Sequence, residues 1–187
     1  MNRAVIGGLV GGLVMFIWGA VANMALPLGK VGISEIPGEQ AVVETMRQSI
    51  SEPGVYLFPG MDMSREQSQE EMTAWVERYR RGPTGLLVYQ PAGEQPLSPA
   101  KFVRQLLADV AAALIAATIL SMVVARSFWS RVLVVGMMGL FAWLSISIPY
   151  WNWYRFPSDF TMAAAAQQIV GWLLAGAAMA AIIRPRR

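Results

Sequence analysis

The sequence contains no cysteine and no histidine. Those two absences together exclude thiol redox chemistry, Cys/His zinc sites, Ser-His-Asp triads, His-ligated haem and Fe–S clusters. Without cysteine, no disulfide fastens any exposed part of the chain. Charge is also scarce. Only 14% of the 187 residues are Asp, Glu, Lys or Arg, where soluble domains carry about 25%. Apolar residues make up 55%, and the mean hydropathy is +0.43. A soluble globule of this length cannot bury that much apolar surface. A soluble enzyme, a disordered tail and a free-standing nucleic-acid binder are therefore excluded. What chemistry remains must use carboxylates, Ser/Thr, Tyr, Lys, Arg or Met.

A helix needs roughly 20 apolar residues to cross about 30 Å of hydrocarbon. Four stretches meet or approach that length: residues 4–26, 102–125, 132–149 and 160–183. The first carries no charge, and the second has Arg104 and Asp109 near its start. An open-ended segment in lipid satisfies its backbone only as a helix, so all four are read as transmembrane helices. The expected fold class is an all-α membrane protein: a four-helix bundle with a small α/β extracytoplasmic domain between helices 1 and 2. The chain then divides into residues 1–26 (helix 1), 27–101 (the inserted domain) and 102–187 (helices 2–4). Arg3, the first apolar run and Ala20-Val21-Ala22 also fit a secretory leader with a small-residue cleavage site. The run is long for such a leader, and it is read as a retained helix.

Basic residues in short loops set the orientation. Arg3 precedes helix 1, Arg126 and Arg131 flank the turn between helices 2 and 3, and Arg184, Arg186 and Arg187 follow helix 4. Residues 27–101 hold seven Lys/Arg and ten Asp/Glu, and a loop of that length crosses largely regardless of charge. Both termini are therefore expected in the cytoplasm and residues 27–101 on the outer, periplasmic side of a bacterial inner membrane. The pI near 9.6 comes mostly from these arginine anchors, so no nucleic-acid partner is expected.

Helix 1 carries Gly7, Gly8, Gly11 and Gly12, two overlapping GxxxG pairs, with Gly19 two turns on. Ala108, Ala112 and Ala116 in helix 2, Gly136 and Gly139 in helix 3, and Gly171, Ala175, Ala177 and Ala181 in helix 4 have similar spacing. Small residues so placed let backbones approach closely, which drives helix association in lipid. They serve packing within one bundle, or a face for a second copy or another subunit. Helix 1 has glycines on adjacent faces and suits both.

The inserted segment is patterned. Residues 38–50 read as a helix with Val42, Val43, Met46 and Ile50 on one side, and residues 55–58 and 86–89 as strands between Pro/Gly breaks. Residues 64–81 read as a helix with Ser64 and Gln67 as capping box. Its early glutamates and late arginines match the helix dipole. Two strands joined through a helix are expected to pair in parallel with a right-handed crossover. So small a core is expected to rest on the outer ends of the spans. The short segment 150–157 contains Tyr150, Trp151, Trp153 and Tyr154, which form an aromatic belt at headgroup level or a lid over a lipid or partner. Ser158 is expected to cap helix 4.

Ionisable and amide groups at membrane depth are functional suspects. Counting inward from Arg126 places Asp109 roughly 4–5 Å below the outer edge. Counting back from Arg184 places Gln167 and Gln168 at about 24 Å, again in the outer part. Asn23 reaches the outer edge, and Ser145 and Ser147 fall at similar heights. The candidate intramembrane polar cluster is therefore Asn23, Asp109, Gln167, Gln168 and Arg155. Either Asp109 pairs with Arg104 or Arg155 and ties the bundle to its loop domain, or these groups line an outward-open pocket for a small polar ligand, ion or lipid headgroup. The inner half is nearly all Leu, Val, Ile, Met and Ala, which argues against a water-filled pore through one protomer.

Met61-Asp62-Met63 has a Cu(I)-like spacing but lacks His or Cys to complete a site. Gly82-Pro83-Thr84-Gly85 is a turn without the Lys-Ser/Thr of a phosphate loop, and Glu70 and Glu71 point different ways on a helix. No metal, no cofactor and no enzyme activity are expected. Four spans with a large first outer loop and a short second one resemble claudin-like proteins in layout. The first loop lacks that family's paired cysteines, so neither its sheet nor its junction role carries over. The leading expectation is a non-enzymatic multi-pass protein acting through protein contacts, as an accessory or assembly subunit of a larger membrane complex or as a homo-oligomer. The alternatives are a small homo-oligomeric channel or transporter with an outer polar vestibule, and a lipid-binding membrane protein. The expected partners are membrane lipids, other membrane subunits and copies of itself.

Overall fold

A computed structural model describes residues 2–184; Arg186 and Arg187 of the basic cluster after the fourth span lie outside them. The chain forms two compact units, residues 1–34 with 96–187 and residues 35–95.

The first unit holds four helices long and apolar enough to cross a membrane: Arg3–Ala25, Pro99–Met122, Phe128–Tyr154 and Ser158–Ile182. This fits an integral membrane protein. Helix α1 (Arg3–Ala20) starts at Asn2, whose side chain accepts from the Ala4 amide. It runs into a π-helical turn, Val21–Ala25, and then a 3₁₀ turn, Pro27–Gly29. Gly32, at φ +74°, lets the chain lie against the backbone of Phe160, where an added Cβ would come within 2.9 Å of the amide nitrogen. Helix α4 (Pro99–Met122) leads through a short turn to α5 (Phe128–Ala142). That turn is capped by a Ser127/Ser130 box that the sequence reading passed over.

The third span runs past its expected end at Pro149. A π-helical turn, Trp143–Ser147, precedes α6 (Ile148–Tyr154), and Pro149 sits in the first turn of α6, where its missing N–H matters least. Tyr150, Trp151, Trp153 and Tyr154 are therefore helical, and the connection shrinks to Arg155-Phe156-Pro157. Helix α7 (Ser158–Ile182) is preceded by Pro157 at the cap position. Ser158 is its first residue rather than its cap, and its hydroxyl accepts from the Trp151 indole N–H at 3.0 Å.

Glycine placement decides the packing. Gly7 and Gly11 lie against Ile183 and Met179, at the end of α7. Gly8 and Gly12 lie against Leu114 and Val110 of α4. Helix α1 thus sits between α4 and α7, and α5 packs on the far side of α7, with Gly136 under Leu173 and Gly139 under Trp172. The core contains Ala113, Ala116, Ala117 and Leu120 of α4, Val135 of α5, and Trp172, Ala175 and Met179 of α7, with Ile183 beyond it. Of the expected small-residue positions, Ala116, Gly136, Gly139, Gly171 and Ala175 are buried and Ala112 and Ala177 half-buried. Ala108 and Ala181 are exposed, whereas Ala113, Gly176 and Ala180 are buried. In lipid, shape fit rather than apolarity selects the packed face.

The second unit contains α2 (Glu39–Ser49), β1 (Gly54–Phe58), α3 (Gln69–Arg81) and β2 (Gly85–Tyr89). The strands pair antiparallel, Gly54 opposite Tyr89 and Phe58 opposite Gly85. This corrects the parallel expectation. The chain through α3 reverses direction like a long hairpin connection and need not cross the sheet. The capping box is also corrected. It is Ser68 with Glu71, while Ser64 bonds back to Asp62 in a tight turn and Gln67 donates to backbone carbonyls. Helix α3 is held by the Trp75 indole donating to the Pro59 carbonyl at 3.0 Å. No residue of 35–95 is fully buried.

Glu71 accepts from the Arg65 guanidinium at 2.6 Å and from the Ser68 amide at 2.9 Å. These bonds hold its carboxyl down at about 2, against 4.5 for a free glutamate. A depressed carboxylate adds stability above its unfolded pKa, and this is lost as pH falls through the folded one. The start of α3 should therefore weaken between about pH 4.5 and 2. In Arg65→Ala, an NMR titration of the Glu71 side chain should find its midpoint moved up toward 4.5. An unmoved midpoint would discount the Arg65 contact.

Candidate functional site

The arrangement α4–α1–α7 leaves a gap. All the fully buried residues of α4 lie between Ala113 and Leu120. Its first half has no buried residue. Between this half, the second half of α1 and the middle of α7 lies a cavity of about 470 Å³. Its apolar lining includes Met15, Phe16, Met24, Leu97 and Phe102, and its polar lining Asn23, Lys101, Gln105, Asp109, Gln167 and Gln168. It lies wholly within the first unit.

The α1 and α7 walls are tied to each other. The Trp18 indole donates to the Gln167 carbonyl at 2.9 Å, and the Gln167 side-chain amide donates to Asn23 Oδ1 at 3.4 Å. Asn23 in turn donates to the Gly19 carbonyl at 2.8 Å. Its place in the π-helical turn matters, because such turns often mark functional positions in helices. On the α4 wall, Gln105 donates to Asp109 Oδ1 at 3.0 Å, one helical turn away. Among the described residues, no hydrogen bond links Gln105 or Asp109 to α1 or α7, and the Gln168 side chain has no hydrogen-bond partner. The cavity lining thus carries a lysine, a carboxylate and several amides.

Comparison with family models, curated proteins and solved structures finds no match to this chain. The site is therefore read from its own residues.

Of the expected polar cluster, Asn23, Asp109, Gln167 and Gln168 come together around the cavity, and Arg155 does not line it. Arg155 closes α6 in a left-handed conformation, φ 58°. The expected pairing of Asp109 with Arg104 or Arg155 is not made. Arg104 is five residues away on another face of α4 and donates to the Ala100 carbonyl, while Gln105, four residues away, shares the face of Asp109. Ser145 bonds back to its own helix, and Ser147 lines a separate, smaller cavity with Tyr150, Phe156, Phe160 and Thr161.

Gly7, Gly8, Gly11 and Gly12 are buried inside the bundle and face this chain's own helices. Gly19 differs from them. It lines the cavity, and an added Cβ would meet nothing within 4 Å. The aromatic residues of α6 stay on the surface, with Trp153 73% exposed. The sequence reading missed Gln105, Lys101, Phe16, Trp18 and Phe102. The spacing of Gln105 from Asp109 was a usable signal. The others come close only through the crossing of α1, α4 and α7. Among the described residues, no three His, Cys, Asp or Glu side chains gather to hold a metal.

Proposed function

We propose that this is a non-catalytic integral membrane protein whose working part is the α1–α4–α7 cavity, which holds the polar end of an amphiphile. The observation that carries this reading is the cavity itself: a pocket between helices whose mostly apolar lining is joined by Asn23, Lys101, Gln105, Asp109, Gln167 and Gln168. Pockets of a few hundred Å³, mostly apolar with a few placed polar groups, are the usual form of small-ligand sites. Conduction is less well supported. The half of the bundle toward Arg126 and Arg184 is filled by Leu120, Val135, Met179 and Ile183. The flanking arginines favour cytoplasmic termini and residues 27–101 outside. The cavity then opens in the outer leaflet of a bacterial inner membrane.

Gly19→Leu tests the reading. A Cβ at Gly19 meets nothing within 4 Å, so the added side chain has an open start toward the cavity. Lipid extracted from the purified protein should fall at least severalfold against wild type, with the thermal midpoint unchanged. Equal lipid retention would end the proposal.

A second reading, action through protein contacts, is favoured by the second unit. It has no fully buried residue, and Val55 and Val88, directly opposite each other in the sheet, are 65% and 69% exposed. On this reading the sheet face meets another subunit or a copy. Native mass spectrometry in mild detergent should then find more than a single chain.

A further inference from the structure

The fold gathers Arg3, Arg126, Arg131 and Arg184 at one end of the first unit. Arg3 opens α1, and Gly7, one turn on, lies against Ile183. The Ile183 carbonyl, just before Arg184, accepts from the Arg131 guanidinium at 2.7 Å. Arg126 stands in the turn that leads into α5. No Asp or Glu precedes Glu35 or follows Asp159, and only Asp109 lies between Glu94 and Asp159. Asp109 is in the first half of α4 and Asp159 at the start of α7, both away from the arginine end. The ion pairs described are Arg65 with Asp62 and Glu71, and Arg80 with Glu77, all in the second unit. The charge of this end is therefore met by no side-chain carboxylate of the chain.

Arg3, Arg126 and Arg184 are exposed. Trp129, in the first turn of α5, is 74% exposed beside Phe128, their rings 5.3 Å apart. Exposed tryptophan at the end of an apolar helix marks the headgroup level of a bilayer.

We propose that this end binds the phosphate groups of anionic phospholipid, with Arg126 and Arg184 as its outward contacts and Arg131 as the arginine that fixes the end of α7. Guanidinium and phosphate join in charge-assisted hydrogen bonds, and each arginine near an anionic leaflet gains further from its surface potential. In a zwitterionic headgroup the ammonium offsets that attraction. A soluble anion has no acyl chains, whereas the exposed Met122, Val124, Trp129 and Leu133 beside the turn give such chains a surface.

The experiment uses the full chain stripped of lipid in mild detergent. Native mass spectrometry compares its binding of phosphatidylglycerol and phosphatidylcholine with identical acyl chains. Wild type should bind the glycerol lipid about fivefold more tightly, the factor that one arginine near an anionic surface is worth. Raising the ammonium acetate concentration should bring the preference toward unity, because salt screens exposed charge. Arg126→Gln with Arg184→Gln should lose most of the preference, and Arg126→Lys with Arg184→Lys should keep it. Arg104→Gln with Arg155→Gln, at the other end of the helices, should match wild type. Gly19→Leu should keep the preference too, so the outcome does not depend on the cavity reading.

Equal binding of the two lipids by wild type would overturn the proposal. So would a preference that survives in the Arg126, Arg184 glutamine pair, or one that falls as far in the Arg104, Arg155 pair. Should the first pair melt early, the salt series on wild type still decides, and a preference that high salt leaves intact counts against the arginines. Displacement of the glycerol lipid by an equal concentration of inorganic phosphate would assign the site to a soluble anion and overturn the lipid assignment.

Discussion

Gly12→Leu should unfold the α1–α4 pair. A Cβ at Gly12 would lie 2.5 Å from the Val110 Cα and 2.9 Å from its amide nitrogen. Both are backbone atoms of α4, so no side-chain rotation relieves the clash. The helix must move away, and with it the wall that carries Gln105 and Asp109. Overpacking of this kind costs about 3 kcal/mol. In mixed micelles the denaturation midpoint should fall sharply, whereas Gly19→Leu, in the same helix, should match wild type or exceed it slightly. Equal behaviour of the two variants would mean that α1 does not contact α4 through Gly12.

Trp172→Ala should be the most damaging truncation in the bundle. Trp172 is 9% exposed and lies over Gly139, where an added Cβ would be 3.0 Å from its own Cβ. The indole fills the space between α7 and α5 that the glycine opens. Its removal leaves a void that the two helices cannot both close, at a cost of about 3 kcal/mol. Trp153→Ala removes an indole that is 73% exposed, and should change stability by less than about 0.5 kcal/mol. The same micelle titration reads both, and similar midpoints would contradict the packing described.

The two variants test different sides of one design. Gly12 and Gly139 are places where a missing side chain admits a neighbour, and Gly19 is a place where it leaves room. All three look alike as letters in an apolar run. The GxxxG spacing of Gly7, Gly8, Gly11 and Gly12 shows that helix 1 packs closely. It does not say against what, and the structure answers with Met179 and Ile183 on one side and Val110 and Leu114 on the other. A face covered in this way is closed to a second copy.

The same limit applies to the polar groups. Counting residues from the basic ends brings Asn23, Asp109, Gln167 and Gln168 to one height, because helical rise is constant. Height alone also admits Arg155, Ser145 and Ser147. Only the direction each helix faces removes them from the cavity. In the second unit, both strands and both helices follow from local pattern. Their antiparallel pairing and the Ser68 cap do not. A strand's direction is set by the path of the chain between strands, and Ser64 and Ser68 are both good caps until the turn at Asp62 takes one of them.

The sequence by itself determined that the chain has four apolar helices long enough to span a membrane, a patterned insert, and one carboxylate and several amides within the apolar stretches. Each of these follows from composition and from the constant geometry of a helix. The tertiary structure decided that α1 lies between α4 and α7, that the first half of α4 buries no residue, and that these polar groups line one cavity. Helix packing in an apolar medium depends on the shapes of facing surfaces rather than on hydropathy. Shape is a property of pairs of helices, which no single stretch of sequence contains.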